Sequence, residues 1–183
     1  MPVTLSGGAA VAPDHGTGER ELMGAADLAL YRMKEEPRAA LGLYEPSIGD
    51  AFHARNRLLS EARQALLEDR FVPWYQPQVD IASGAVVGVE ALARWVADDG
   101  VREAAEFAAA LEDKELGGLI GRAVVDRAIA DIAQLNRGRE RKIALSVNAS
   151  AGELVRASFL QRIGRLCEDR GPDAGPVTVE ISE

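Results

Sequence analysis

Three oxygen-bearing side chains, Glu90, Asn148 and Glu180, each fall at or near the end of an apolar, β-rich run: VVGVE, IALSVN and VTVE. Two carboxylates and one amide offer oxygen donors alone. Such a set suits a hard divalent cation, Mg2+ or Mn2+, and not a thiophilic one. Asn148 and Glu180 stand 32 residues apart, the size of one strand-helix-strand unit, so successive parallel strands would bring them side by side. Arg94, four residues after Glu90, could grip a phosphate with two N–H groups at once. Each residue also has an ordinary reading. Glu90 could face solvent, Asn148 could cap a following helix, Glu180 could be an exposed strand charge, and Arg94 could be half of a salt bridge.

The elements that must hold these residues are legible in outline. FVPWYQPQVD and VVGVEAL flank the short turn IASGA, which contains Gly84, and this predicts an antiparallel hairpin. Pro73 and Pro77 favour a sheet edge or an irregular strand for the first run. Then follow a helix over about 103–112, a helix over about 118–136, a strand over 143–148, a helix over about 152–169 and a strand over 177–182. That alternation predicts a parallel sheet, and folds of this class set their chemistry at the C-terminal ends of strands. Trp74, Tyr75 and Trp95 read as core aromatics before they read as base-stacking platforms.

The first third of the chain has a different pattern. Residues 3–12 predict a strand. A helix follows from Glu19 to Glu36, with Leu22, Ala26, Leu30 and Met33 on one face, and Pro37 stops it. LGLY over 41–44 predicts a short strand. Two strands and one helix cannot bury both faces of a sheet, so the segment is expected to be the closing remnant of a larger domain. EPSIGD over 45–50 is expected to be a boundary, and an amphipathic helix should run from about Ala54 to Asp69.

Composition narrows the function. With 47% hydrophobic residues the chain is globular, and 21 Lys and Arg against 29 Asp and Glu give a net charge of -8. That balance argues against gripping polymeric nucleic acid by bulk charge, while a small phosphorylated ligand needs one or two local arginines. A single cysteine, Cys167, and two histidines argue against an internal disulfide and against zinc; Cys167 lies in apolar periodicity and reads as a core thiol. No apolar stretch reaches the roughly 18 residues that a membrane helix needs, and the N-terminus lacks a signal-peptide pattern, so the chain is expected to be cytoplasmic.

The motifs WYQPQVDIASGAVVGVEALARW, EFAAALE, GGLIGRAVVDRA, LSVNAS and VEISE together resemble, in type, order and approximate spacing, the EAL family of cyclic di-GMP phosphodiesterases. The resemblance covers residues 66–183. Upstream, VTLSGGAAVAP and AADLALYRMKEEPR resemble the closing part of a GGDEF (diguanylate cyclase) domain over residues 1–48, which leaves 49–65 as linker and connecting helix. The fold this implies is α/β: a partial (β/α)8 barrel of EAL type with an antiparallel first strand, preceded by a remnant of an α/β GGDEF domain.

The resemblance implies that Glu90, Asn148 and Glu180 are ligands of Mg2+ or Mn2+. It implies further that Arg94 contacts substrate phosphate and that Gln76 and Leu92 line the substrate pocket. Lys34 and Arg38 match phosphate contacts of the GGDEF family, without that family's glycine-rich turn and metal-binding acids. The implied ligand is cyclic di-GMP, hydrolysed in a complete member to linear pGpG, and a second copy meeting the chain through the EAL part or the linker helix is a further expected partner. Because the sequence stops at VEISE, before the family's later acids and lysine, little or no hydrolysis is expected of this polypeptide alone. A non-catalytic cyclic di-GMP sensor and a gene fragment without independent function are the competing expectations.

Overall fold

The computed structural model describes residues 5–35, 40–154 and 157–182, and the chain divides into two compact units, Met1–Leu59 and Ser60–Glu183. In the first unit, strands β1 (Gly7–Ala9) and β2 (Leu41–Leu43) pair in parallel, Gly7 to Leu41 and Ala9 to Leu43, with helix α1 (Glu19–Glu35) between them in sequence. The strand is shorter than 3–12, and residues 1–4 lie outside the described residues. Helix α1 starts where the Glu21 carboxylate accepts the backbone N–H groups of Thr17 (2.9 Å) and Gly18 (3.2 Å). Those two donors hold Glu21 below the usual carboxylate range. Gly8 is required because a Cβ there would collide with the Ala26 carbonyl of α1.

Helix α2 runs from Pro46 to Leu67, which corrects the expected boundary at 45–50. Pro46 does not interrupt it. At the first helical position the missing proline N–H would have had no helical partner anyway, and Ile48, buried, ties this first turn down.

The second unit is built on strands β3 (Phe71–Val79), β4 (Val86–Ala97), β5 (Gly100–Glu103), β6 (Ala144–Ser150) and β7 (Val177–Ser182). Their order is β3-β4-β6-β7, with β5 paired to β4. The β3-β4 hairpin is antiparallel, while β4-β6 and β6-β7 are parallel. Strand β3, with Pro73 and Pro77, is an edge as the prolines require, and among the described residues the sheet is open. At the hairpin turn Asp80 accepts from the Ser83 backbone at 2.9 Å, and Gly84 adopts φ +69, where a side chain would be strained.

The helix expected over 103–112 is replaced by three pieces. Asp98-Asp99-Gly100, with Gly100 at φ 142, folds the chain back so that β5 pairs Glu103 with Arg94 and Gly100 with Ala97. A 3-10 turn over 104–107 follows, and then the single-turn helix α3 (Ala108–Leu111). Helix α4 (Leu116–Leu135) matches its expected position. The helix expected over 152–169 is described as α5 (Ala151–Leu154) and α6 (Ala157–Glu168), with residues 155 and 156 outside the described residues.

Alternation along the strands separates two faces. Val89, Ala91, Leu145, Val147 and Ala149 pack with Val125, Ala128, Ile129 and Ile132 of α4 and with Phe159 and Ile163 of α6. The valine, leucine, isoleucine and phenylalanine side chains among them each contribute about 1.5–3 kcal/mol when fully buried. Cys167 packs half-buried against this cluster, and burial pushes its thiol pKa up. Phe71, Trp95 and Phe107 form a second, aromatic cluster with ring centroids 5.4–6.1 Å apart. At the end of α4, buried Asn136 acts as a surrogate strand: its Nδ2 donates to the Ile143 carbonyl (3.0 Å) and its Oδ1 accepts the Ile143 N–H (2.8 Å). This clamp sets where β6 begins.

Candidate metal and ligand site

The face opposite the helices carries the polar residues. In β4 these are Glu90, Leu92 and Arg94; in β6, Ser146 and Asn148; in β7, Thr178 and Glu180. Cross-strand register puts Gln76 opposite Glu90 and Trp74 opposite Leu92. It also pairs Glu90 with Ser146, and Asn148 with Glu180. Gln78 reaches across β4 to donate from Nε2 to Ser146 Oγ at 3.3 Å.

Glu90 lies fifth in a strand of twelve residues, not at its end. The parallel pairing of β4 with β6, however, covers Gly88 to Ala91 alone, and from Arg94 to Ala97 β4 pairs with β5 instead. Functionally, the parallel layer therefore ends just after Glu90. Although Glu90 and Asn148 are offset by two residues in register, their side chains meet: Asn148 Nδ2 donates to Glu90 Oε1 at 2.8 Å. Glu180 is the direct parallel neighbour of Asn148. No lysine or arginine pairs with Glu90 or Glu180 among the described residues. Two carboxylates and an amide without a protein cation fit a hard divalent ion through oxygen. Among the described residues no group of three His, Cys, Asp or Glu gathers as a metal site.

Asn148 does not cap the next helix. Ser150 does, with Glu153 accepting from the Ser150 N–H at 3.0 Å and from its hydroxyl at 2.9 Å. This frees Asn148 for the sheet face. A cleft of about 770 Å³ opens beside it, lined in part by Leu92, Arg94, Asn148 and, from the α4 side, Lys114 and Gly121.

Arg94 is largely buried and pairs with Glu103 at 3.5 Å, with its guanidinium 5.6 Å from the Trp74 ring centroid. The structure thus divides the three aromatics. Trp95 is buried and Tyr75 packs against the core, but Trp74 is 52% exposed on the polar face. Strand alternation alone could have found this, since Trp74 shares parity with Gln76. Glu103 had no local signal, because its role depends on the return of β5. Lys34 stands exposed in the last turn of α1, and Arg38 lies outside the described residues.

Residues 59–183 match the family model described as the EAL domain. The chain is 30% identical over 184 residues to the biofilm architecture maintenance protein MbaA of Vibrio cholerae, covering 100% of this chain and 23% of that protein. It is 29% identical over 182 residues to the bifunctional diguanylate cyclase/cyclic di-GMP phosphodiesterase MucR of Pseudomonas aeruginosa, covering 99% of this chain and 27% of that protein. The solved MucR phosphodiesterase in complex with c-di-GMP superposes with a TM-score of 0.57 at 30% identity, over 62% of this chain and 47% of that one. The Bacillus subtilis YkuI protein, with an EAL domain, in complex with c-di-GMP and calcium, shares the fold at a TM-score of 0.55 and 20% identity, over 67% of this chain and 30% of that one. The chain spans about a quarter of the length of the curated relatives just named. A matched model over 125 residues, relatives aligned along the whole chain and a shared mixed sheet converge on one conclusion: the chain belongs to the EAL domain family.

Proposed function

We propose that this chain takes part in cyclic di-GMP signalling by binding cyclic di-GMP, with a divalent cation, on the polar face of its second sheet. The observation that carries this is the meeting of Glu90 and Asn148 at 2.8 Å beside Glu180, three oxygen-bearing residues with no paired cation among the described residues. In this reading Glu90, Asn148 and Glu180 hold Mg2+ or Mn2+, Arg94 receives a ligand phosphate, and Gln76 and Leu92 shape the pocket. The bound ion supplies Lewis-acid charge at the phosphodiester. Trp74 braces the Arg94 guanidinium from below, and Asn148 orients the Glu90 carboxylate through its amide N–H. In this reading the reaction of the whole protein is hydrolysis of cyclic di-GMP to linear pGpG, to which residues 66–183 contribute this site.

The unit Met1–Leu59 is proposed to close a GGDEF domain. Its support is the parallel β1-α1-β2 arrangement and the alignment of bifunctional MucR along 99% of this chain. A cytoplasmic location and a second copy as partner belong to the same proposal; among the described residues no helix is long and apolar enough to cross a membrane.

The test is calorimetric titration of the full chain with cyclic di-GMP in Mg2+, in Mn2+ and in chelator, beside Glu90→Ala and Glu180→Gln. Metal-dependent binding that falls at least tenfold in both variants is expected. Equal heats from wild type and variants would overturn the reading.

A further inference from the structure

The surroundings of Arg94 show how its affinity for a phosphate is set. A guanidinium has five N–H donors, and gripping a phosphate bidentately takes two neighbouring ones. In Arg94, Nη1 donates to the Ala93 carbonyl at 3.0 Å, and Nη2 lies 3.5 Å from Glu103 Oε1. Nε is buried and has no hydrogen-bond partner among the described residues. The edge left for a ligand therefore includes the nitrogen that faces Glu103.

Glu103 is placed there by β5. It is the register partner of Arg94, and its side chain is 69% exposed against 13% for the arginine. The strand is pinned from its other face by the preceding residue: Arg102 lies 4.6 Å from the Trp95 ring centroid and pairs with Glu61 at 3.4 Å and Asp99 at 3.3 Å. The Glu106 carboxylate accepts the Glu103 backbone N–H at 2.7 Å. Glu103 thus has a backbone held by Glu106 and an exposed carboxylate that closes the same capping box by accepting the Glu106 backbone N–H, beside a largely buried guanidinium.

We propose that Glu103 is an internal competitor for the ligand phosphate at Arg94, an anionic latch that a phosphate must displace. Trp74 keeps the guanidinium plane in place whichever anion it faces. The inference rests on the reading of Arg94 as a phosphate contact. An exposed carboxylate on an ion pair of this length contributes little, so neutralising it raises ligand affinity about two- to fivefold.

The experiment compares the full-length chain with Glu103→Gln, which keeps shape and removes charge, and Glu103→Asp, which keeps charge. Cyclic di-GMP affinity in Mg2+ is measured by titration. In parallel, the rate of phenylglyoxal modification of Arg94 without ligand is followed by peptide mass spectrometry. Glu103→Gln should bind two- to fivefold tighter and be modified faster, while Glu103→Asp stays near wild type in both. A purely structural role would instead weaken binding in both variants. Binding that Glu103→Gln leaves unchanged or weakens, or a modification rate that it does not raise, overturns the competitor alone. Failure of all three proteins to bind overturns the phosphate role of Arg94 and the competitor with it.

Discussion

Replacing Asn136 with alanine tests whether a side chain sets the start of the strand that carries Asn148. Asn136 is fully buried, and its amide satisfies both the N–H and the C=O of Ile143, itself buried, at 2.8 and 3.0 Å. Alanine removes both partners at once. An unsatisfied buried backbone group costs about 1–3 kcal/mol, so two give about 2–6 kcal/mol; entry of a water molecule reduces this, and about 3 kcal/mol is expected. For a chain of this size that corresponds to a fall in Tm of about 6–12 °C. Urea unfolding followed by the emission of Trp95, which is buried in the same unit, measures it. Asn136→Asp keeps an acceptor for the Ile143 N–H but loses the donor and buries a carboxylate. Its folded pKa is raised, so its deficit relative to wild type should shrink as pH falls from 7 towards 4. A loss below about 1 kcal/mol for Asn136→Ala would refute the clamp.

Three further outcomes follow from the same packing. Gly175 sits at φ 65 and ψ -174, and a Cβ there would meet Asn136 Nδ2 and the Ile143 carbonyl oxygen at 2.9 Å. Gly175→Ala should cost about 1–3 kcal/mol by urea titration, and less than additively with Asn136→Ala because both act on one clamp. Burial first, and then its hydrogen bond to Asp131 at 2.7 Å, push the Tyr75 phenol well above its ordinary pKa of 10.0. The stability that Tyr75 contributes is therefore complete below pH 10 and declines as pH rises beyond it, so Tyr75→Phe should flatten the alkaline limb of the stability profile. Burial likewise raises the Cys167 thiol. Alkylation with iodoacetamide at pH 8 should accordingly be slower in the folded chain than after urea unfolding.

Much of the second unit was legible because its signals are local. Proline placement narrowed β3 to an edge or irregular strand, the apolar runs located β4, β6 and β7, and helical periodicity located α4. The first unit was less so: Pro46 looked like a boundary but serves as the first residue of α2, since a proline that ends one helix can equally begin another. The return of β5 was missed because it depends on a two-residue turn that brings 100–103 back to β4, and its pattern, GVREAAEF, reads equally well as the entry to a helix.

The sequence by itself determined which residues are oxygen donors, which strands carry them and which side of each strand they share, because the two-residue alternation of a strand is written in adjacent positions. It also held the motifs by which the EAL family could be recognised. Tertiary structure alone decided that Glu90 meets Asn148 despite a two-residue offset, that Arg94 faces Glu103, that Trp74 is exposed and that Asn136 replaces a strand partner. These are relations between segments far apart in the chain. They depend on how strands are registered against one another, a choice made by the packing of the whole sheet on its helices and not by any short stretch of residues.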